Sequence, residues 1–410
     1  MYIQPTGFIH WGVPSRNFAY FVVQSFFASG YAGPGYNMRI LISAGEASGD
    51  MHAAAVINAL NVRYEHLEIA GIAGPAMAQA GCETLIDMNQ LNVMGVSDVL
   101  RALPRIRRIR NDILEWAGDN RPDIAILVDF PGFHINLGSR LRKLGIPVLQ
   151  YIAPKLWAWG AWRVGRLKRA QDKLACILPF EPEWFGARHV EACYVGNPSA
   201  AVCAVGWSKS EFRQRLGFAQ DSSVLAILPG SRPSELAHHV SLLAEAWRMI
   251  QIQCPNVHCV VPLAPGVDQR LLEPLLQQGA VPLGRMEEKF ALRADAAIAV
   301  SGTVTLELAL WDVPTVLVYR SSPLTVFLAK KVVRVPYIGL ANILLNTSVM
   351  PELIQEEATV ENIVRSALPL LRGGEEAMRQ WNMFTELRAI LGGDDPAKAV
   401  AAMAIRMASA

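Results

Sequence analysis

The chain has no CxxC pair, no GxGxxG turn and no GxxxxGK[ST] loop. Its six cysteines (Cys82, Cys176, Cys193, Cys203, Cys254 and Cys259) are scattered and show no Cys/His ligand spacing. That argues against a zinc site or a disulfide framework, and the thiols read as small core residues in a reducing compartment. The missing glycine loops argue against dinucleotide dehydrogenases and P-loop ATPases. Charge is scarce, with 18% charged residues against 52% hydrophobic, and a net charge of +2 excludes a polyelectrolyte binder. No nucleic-acid motif accompanies the basic residues, so no nucleic-acid partner is expected. Past residue 38 there is no run of eighteen apolar residues, so no membrane span is expected there. What remains is an apolar chain of 410 residues, long enough for two domains with real cores.

Residues 1–37 hold one charge, Arg16, and many aromatics. Arg16 followed by FAYFVVQSFFASGYAG crudely imitates a signal peptide, yet Met38 begins MRILISAGEASGD, an ordinary start for an α/β domain. The stretch 1–37 is expected to be a dispensable extension; membrane association and secretion are the competing readings.

The organising stretch is Asp123–His134, DIAILVDFPGFH. Ile124–Val128 is continuously apolar and predicts a buried parallel strand. It stops at Asp129, before a turn at Pro131 and Gly132 and a helix from Ile135. An acid at that strand end sits where open α/β sheets bind ligands. Asp129 reads as a general base or as a cap for the helix, with His134 a competing base or a packed residue.

Strands alternate with helices around it. Strands are predicted at 39–43, 67–72, 124–128, 147–152 and 173–178, then, beyond a linker near 197–208, at 224–228, 257–262, 295–300 and 314–319. This βαβ repetition predicts two doubly wound parallel sheets, hence an α/β chain of two Rossmann-like domains facing across a cleft, the GT-B architecture. The expected domains are 38–200 and 201–372, with terminal helices at 373–410 that pack back on the first domain.

Four groups could carry chemistry. Ser301–Glu307, SGTVTLE, follows a strand and opens a helix. The free N–H groups of Ser301, Gly302 and Thr303 would receive a diphosphate, and Glu307 would hold ribose hydroxyls; an ordinary N-cap is the alternative. In Leu228–Glu235, LPGSRPSE, Gly230 permits close approach, Ser231 offers a hydroxyl and Arg232 a bidentate fork for phosphate. In SAGEASGD, Gly45 and Gly49 allow backbone approach, while Glu46, Ser48 and Asp50 orient sugar hydroxyls or cap a helix. Trp157 and Trp159 of APKLWAW line a sugar or acyl pocket, or pack the core. Two basic helical runs, with Arg101, Arg105 and Arg108 in one and Arg163, Arg166 and Arg169 in the other, suit an anionic membrane surface or form solvated faces.

Taken together, SAGEASGD, GIAGPAM, NVMGVSDVL, WAW, LPFEPEWF, LPGSR, SGTVTLE and PELIQEEAT resemble the lipid-A-disaccharide synthase family, in its order, from Met38 to the last helices. The resemblance implies an inverting, metal-independent glycosyltransferase with no cofactor. It implies UDP-2,3-diacylglucosamine as donor and 2,3-diacylglucosamine 1-phosphate (lipid X) as acceptor. The products would be UDP and a β-1′,6-linked disaccharide 1-phosphate for lipid A. It places Asp129 at the family's essential aspartate, Arg232 and Glu307 at donor positions, and Asn342 at a donor-side asparagine. It implies a protein peripheral on the cytoplasmic face of the inner membrane, with a homodimer left open. Gly132 and His134 depart from the family's DxPDFN, Asn197 from its GHP, and Gly160 from the arginine that usually follows Trp-Ala-Trp. Two other readings stand beside it: another GT-B UDP-GlcNAc transferase or epimerase-like enzyme, and a nucleotide- or lipid-binding protein without activity. A protein starting at Met38 is expected to fold and keep full activity in a turnover assay; an unfolded or inactive truncation would make residues 1–37 structural.

Overall fold

A computed structural model describes residues 37–409, apart from 65, 92–95, 204–206, 265–266, 285–291, 323–325, 327–334 and 393–394. The extension up to residue 36 and the Arg101 side chain therefore lie outside the described residues.

Two all-parallel sheets form. The first has β1 (Met38–Ala44), β2 (Leu67–Ala73), β3 (Glu83–Asp87), β4 (Ile124–Val128), β5 (Val148–Tyr151), β6 (Lys173–Cys176) and β7 (Ala192–Tyr194), ordered β3-β2-β1-β4-β5-β6-β7. The second has β8 (Ser223–Leu228), β9 (Val257–Pro262), β10 (Val281–Leu283), β11 (Ala296–Val300), β12 (Thr315–Tyr319) and β13 (Glu352–Ile354), ordered β10-β9-β8-β11-β12-β13. In each sheet the winding direction reverses once, between β1 and β4 and between β8 and β11. Such switch points open a crevice beyond the strand ends, where the loops part to opposite faces.

Burial explains the layers. Every residue of β4 is buried, as a central strand covered on both faces requires. Along β1, Ile40 and Ile42 face one way, against α1 (Ala47–Asn61) and the last helix. Leu41 faces the other way, toward α2 (Val96–Asn120) and α3 (Pro131–Lys143), which contribute Ile109, Ile113, Leu137 and Leu141. Next to α3 lies α4 (Val164–Ala170). Gly138 makes that approach feasible, because a Cβ there would stand 2.2 Å from the Ala170 carbonyl oxygen.

In the second half, Ile227, Ile298 and Val316 pack against α5 (Pro233–Gln253). The other face meets α6 (Val304–Leu310) through Leu306 and Leu310. Helix α7 (Val360–Leu371) joins the first of these layers through Ile363 and Leu368. Helix α8 (Glu375–Ile390) is pinned to β12 by Gln380, whose amide exchanges hydrogen bonds with the Thr315 backbone at 2.8 and 3.3 Å. At its end the Tyr194 hydroxyl donates to the Leu391 carbonyl at 3.0 Å. The chain then crosses back, and α9 (Pro396–Ala408) packs on α1. One apolar cluster joins the halves, with Ile135, Leu156 and Phe185 from the first and Leu228, Leu306 and Phe384 from the second.

The interior strands follow the expected pattern, but β3, β7, β10 and β13 are absent from it, and these are the four sheet edges. They are five residues or fewer and half-exposed, so they carry no continuous apolar run. Helix α3 also begins earlier than expected: Pro131 and Gly132 are its first turn, and the reversal falls on Asp129 and Phe130 instead. Proline fits a first helical turn, where no N–H is needed.

Strands β1 and β2 touch through Gly71, where an added Cβ would lie 1.7 Å from the Ile42 carbonyl oxygen. Gly71→Ala is expected to lose roughly 2–4 kcal/mol, seen as a lower denaturation midpoint; an unchanged midpoint would show that the strands can part.

Candidate functional site

Asp129 lies just past β4 with φ +51°, and Phe130 follows with φ +50°. Left-handed backbone at a residue other than glycine costs roughly 1–2 kcal/mol. The surroundings supply the compensation. The fully buried His134 ring stands 2.6 Å through Nδ1 from the Asp129 carbonyl oxygen, and 2.9 Å through Nε2 from Ser43 Oγ. A carbonyl can only accept, so Nδ1 carries the proton, and bare Nε2 accepts from the Ser43 hydroxyl. Gln150 Nε2 also donates to that carbonyl at 3.2 Å, and the Asp129 N–H donates to Tyr151 O at 2.8 Å. Phe130 packs its ring over Gly45, where a Cβ would sit 2.4 Å from Phe130 Cγ.

This decides between the alternatives for the pair. No side chain caps α3, so Asp129 is not its capping residue. His134 is not a base: burial pushes its pKa down to about 4, against the opposing pull of the Asp129 carbonyl, and both nitrogens are engaged. Burial raises the Asp129 pKa, and the nearby Glu46 raises it further. The Phe130 N–H and Lys155 pull it back. A half-buried carboxyl with a raised pKa is suited to proton transfer.

Other expected residues around this loop take structural roles. Asp50 is buried within α1, and its carboxylate accepts from the N–H groups of Gly74, Ala76 and Met77 at 2.9, 2.9 and 3.1 Å. It clamps the turn after β2 from a buried position, which corrects the expected acceptor role to a structural one. Glu46 is exposed at the start of α1, and its side chain makes no capping bond. Ser48 is exposed and Gly49 buried in the first turn. Trp157 is buried against Phe180 and donates through Nε1 to Glu181 at 3.0 Å, so it packs the core and does not line a pocket. Trp159 is 50% exposed, with the Arg163 guanidinium 5.8 Å from its ring.

On the second switch point, Gly230 has φ +115°, and Glu235 reaches back to the Ser231 N–H at 2.9 Å. The Arg232 side chain is 70% exposed and forms a loose ion pair with Glu235 at 3.6 Å. Across from it, Gly302 and Thr303 are exposed at the start of α6, and Thr303 makes no capping bond. The Ser301 hydroxyl donates to Ile338 O at 3.0 Å. Glu307 is half-buried one turn on. Asn342 is corrected to a structural residue. It is fully buried; its Oδ1 accepts from Val349 and Met350, both at 2.9 Å, and its Nδ2 donates to Met350 O and Glu352.

Arg105, Arg108, Arg166 and Arg169 are exposed on α2 and α4, with α3 between them. Trp162, 72% exposed, adds an aromatic at the start of α4. Two residues the sequence reading passed over also bear on the site. Lys155 lies in the loop after β5, where the charge of Asp129 raises its pKa against the effect of burial, and Glu181 opens the short helix after β6. His239 is a third: buried, it donates through Nδ1 to Glu235 O at 2.6 Å and accepts the Arg320 N–H at 2.8 Å. Nothing in their spacing marks them. Among the described residues no cluster of three or more His, Cys, Asp or Glu could hold a metal ion, and no helix is long and apolar enough to cross a membrane.

The family model described as lipid-A-disaccharide synthetase matches residues 40–401. A lipid-A-disaccharide synthase of Myxococcus xanthus is 38% identical over 358 residues, covering 86% of this chain and 93% of its own length. One of Trichlorobacter lovleyi is 37% identical over 372 residues, covering 90% and 97%. Among solved structures, the UDP-GlcNAc 2-epimerase of Neisseria meningitidis bound to UDP-GlcNAc aligns with a TM-score of 0.60 at 12% identity, covering 89% of this chain and 98% of that one. A calicheamicin glycosyltransferase aligns with a TM-score of 0.55 at 17% identity, covering 89% and 96%. These two share the fold of two Rossmann-like domains.

His134 changes its pKa from 6.5 to about 4 on folding. As pH falls the unfolded chain binds that proton first, so the contribution is whole above about pH 6.5 and gone by about pH 4, with a ceiling of about 3 kcal/mol. Denaturation midpoints are expected to fall across that window, and less steeply in His134→Gln. Equal slopes would mean the ring is not held neutral.

Proposed function

The chain belongs to the lipid-A-disaccharide synthase family and is a glycosyltransferase, and on that footing we propose how its residues divide the reaction. The donor is UDP-2,3-diacylglucosamine and the acceptor is 2,3-diacylglucosamine 1-phosphate. Asp129 takes the proton from the acceptor 6-hydroxyl as its oxygen attacks the anomeric carbon from the face opposite UDP. The configuration inverts, the bond to the UDP oxygen breaks, and UDP leaves. The observation that carries this reading is the Asp129 backbone, held left-handed by His134 and Gln150 at the switch point.

The departing diphosphate carries the developing charge. Arg232, exposed and ion-paired only loosely with Glu235, and the turn at Ser301, Gly302 and Thr303 meet it. Gly230 and Ser231 give the backbone close approach, and Glu307 accepts from the ribose hydroxyls. Positive charge from the protein does the work without a metal. On the acceptor side, Gly45 and Glu46 border Asp129, with Ser48 and Gly49 in the turn behind them. Trp159, Trp162 and the arginines of α2 and α4 hold the protein to the anionic cytoplasmic face of the inner membrane, where acylated substrates reside.

The test is UDP release from UDP-2,3-diacylglucosamine, with and without acceptor, in detergent and EDTA. Acceptor-dependent release with a disaccharide 1-phosphate in the mass spectrum is expected, and Asp129→Asn should lose roughly 10²–10⁴-fold in turnover while still binding UDP. Wild-type turnover in that variant would remove Asp129 as base. UDP binding without release would favour a non-catalytic protein, and loss of activity in EDTA would reinstate a metal.

A further inference from the structure

The loop between β8 and α5 runs over the surface: Ser231, Arg232, Pro233 and Ser234 are exposed, and Pro233 has no N–H to give. Glu235 fastens it. From the first turn of α5 this side chain folds back, and its Oε2 accepts from the N–H groups of Ser231 at 2.9 Å and Arg232 at 3.3 Å. Its other oxygen stands 3.6 Å from the Arg232 guanidinium. Gly230 makes room for the fold-back, since a Cβ there would lie 2.7 Å from Glu235 Cβ and 2.8 Å from Oε2. Glu235 is itself held from behind. Its carbonyl accepts from His239 Nδ1–H at 2.6 Å, and His239 Nε2 accepts the Arg320 N–H at 2.8 Å, at the exit of β12.

We infer that Glu235 is a positioning residue for the donor: its carboxylate holds the loop that presents the Arg232 guanidinium to the diphosphate. This rests on the reading of Arg232 as a diphosphate contact. An arginine fork is selective only from a fixed base, because ordering a mobile loop on binding lowers affinity. The carboxylate fixes that base through the Arg232 N–H and the N–H before it. It also takes these two donors away from a ligand. In this loop the diphosphate is therefore met by side chains, the Arg232 fork and the Ser231 hydroxyl, and not by a cradle of these backbone N–H groups.

A carboxylate beside the same guanidinium also competes with the diphosphate for it, and relative strength decides which effect governs. The Arg232 side chain is 70% exposed, so a pair at 3.6 Å is screened by water and salt and restrains the guanidinium weakly. The Glu235 side chain is only 23% exposed. Its carboxylate accepts two N–H groups, and hydrogen bonds to a charged acceptor are the stronger class. The backbone bonds therefore outlast the ion pair when the donor arrives. Arg232 turns to the diphosphate, and Glu235 stays with the loop.

The experiment measures UDP affinity by calorimetry, and inhibition by UDP and by uridine in the transfer assay, for wild type, Glu235→Ala, Glu235→Gln, Arg232→Ala and the double variant Arg232→Ala with Glu235→Ala. Alanine suits a helix, so α5 persists without the acid. Glu235→Ala should weaken UDP roughly tenfold and leave uridine unchanged. Glu235→Gln, which keeps one oxygen for the two N–H groups, should recover most of that loss. In the Arg232→Ala background the second change should weaken UDP little further. An unchanged UDP affinity in Glu235→Ala overturns the inference. So does a tighter one, which would make the carboxylate a competitor of the diphosphate, and so does an equal loss for uridine and UDP, which would give it a role in the fold alone. A full further tenfold loss in the double variant overturns it as well, since Glu235 would then not act through Arg232. Arg232→Ala binding UDP like wild type removes Arg232 from the donor site and the inference with it. A weakened Arg232→Ala beside an unchanged Glu235→Ala overturns the inference alone.

Discussion

The neutral imidazole of His134 is the contact on which the acceptor side depends. It is fully buried inside the first domain, so its two nitrogens need fixed partners. One partner is the carbonyl of Asp129 and the other is the hydroxyl of Ser43 on β1. The ring thereby ties two strands on either side of the switch point to one reversal of the chain. Without that tie, two successive residues with positive φ would relax toward ordinary helical or extended backbone. Phe130, seated over Gly45, closes the same turn from the other side.

The donor side uses the same device with different residues. His239 is also buried and neutral, and links the first turn of α5 to the exit of β12. Glu352 takes the N–H groups of Ile338 and Gly339, while the Ile338 carbonyl receives the Ser301 hydroxyl. Asn342 completes that scaffold from a fully buried position. In both halves the groups proposed to meet substrate are short or exposed, and buried polar residues behind them fix the loops. Precision at a site requires such support, since a loop alone cannot hold an angstrom-scale geometry.

The two halves are bound by an apolar cluster and by the chain itself. Helix α8 stays with the second sheet, whereas α9 returns to cover β1 and α1 of the first. Cys193 on β7 meets Met403 of α9 at 3.4 Å between sulfurs. A domain whose last helix belongs to its neighbour's core is tied to that neighbour.

Nine interior strands and their grouping into two doubly wound sheets were legible from sequence, because a strand buried on both faces must be continuously apolar. Asp129 was legible for the same reason: it is the first charge after such a run. The edge strands β3, β7, β10 and β13 were not, because a half-solvated strand of three to five residues has no pattern distinct from a loop. Nor could sequence separate acids and amides by duty. Asp50 and Asn342 looked like ligand residues, but Asp50 bonds to backbone groups 24 to 27 residues away, and Asn342 to backbone groups 7 and 8 residues away and to the Glu352 carboxylate. Local composition determined the strands, the turns and the candidate base. Tertiary contact alone decided which polar groups are already satisfied and which remain available, since a hydrogen bond is a matter of position in space and not of spacing along the chain.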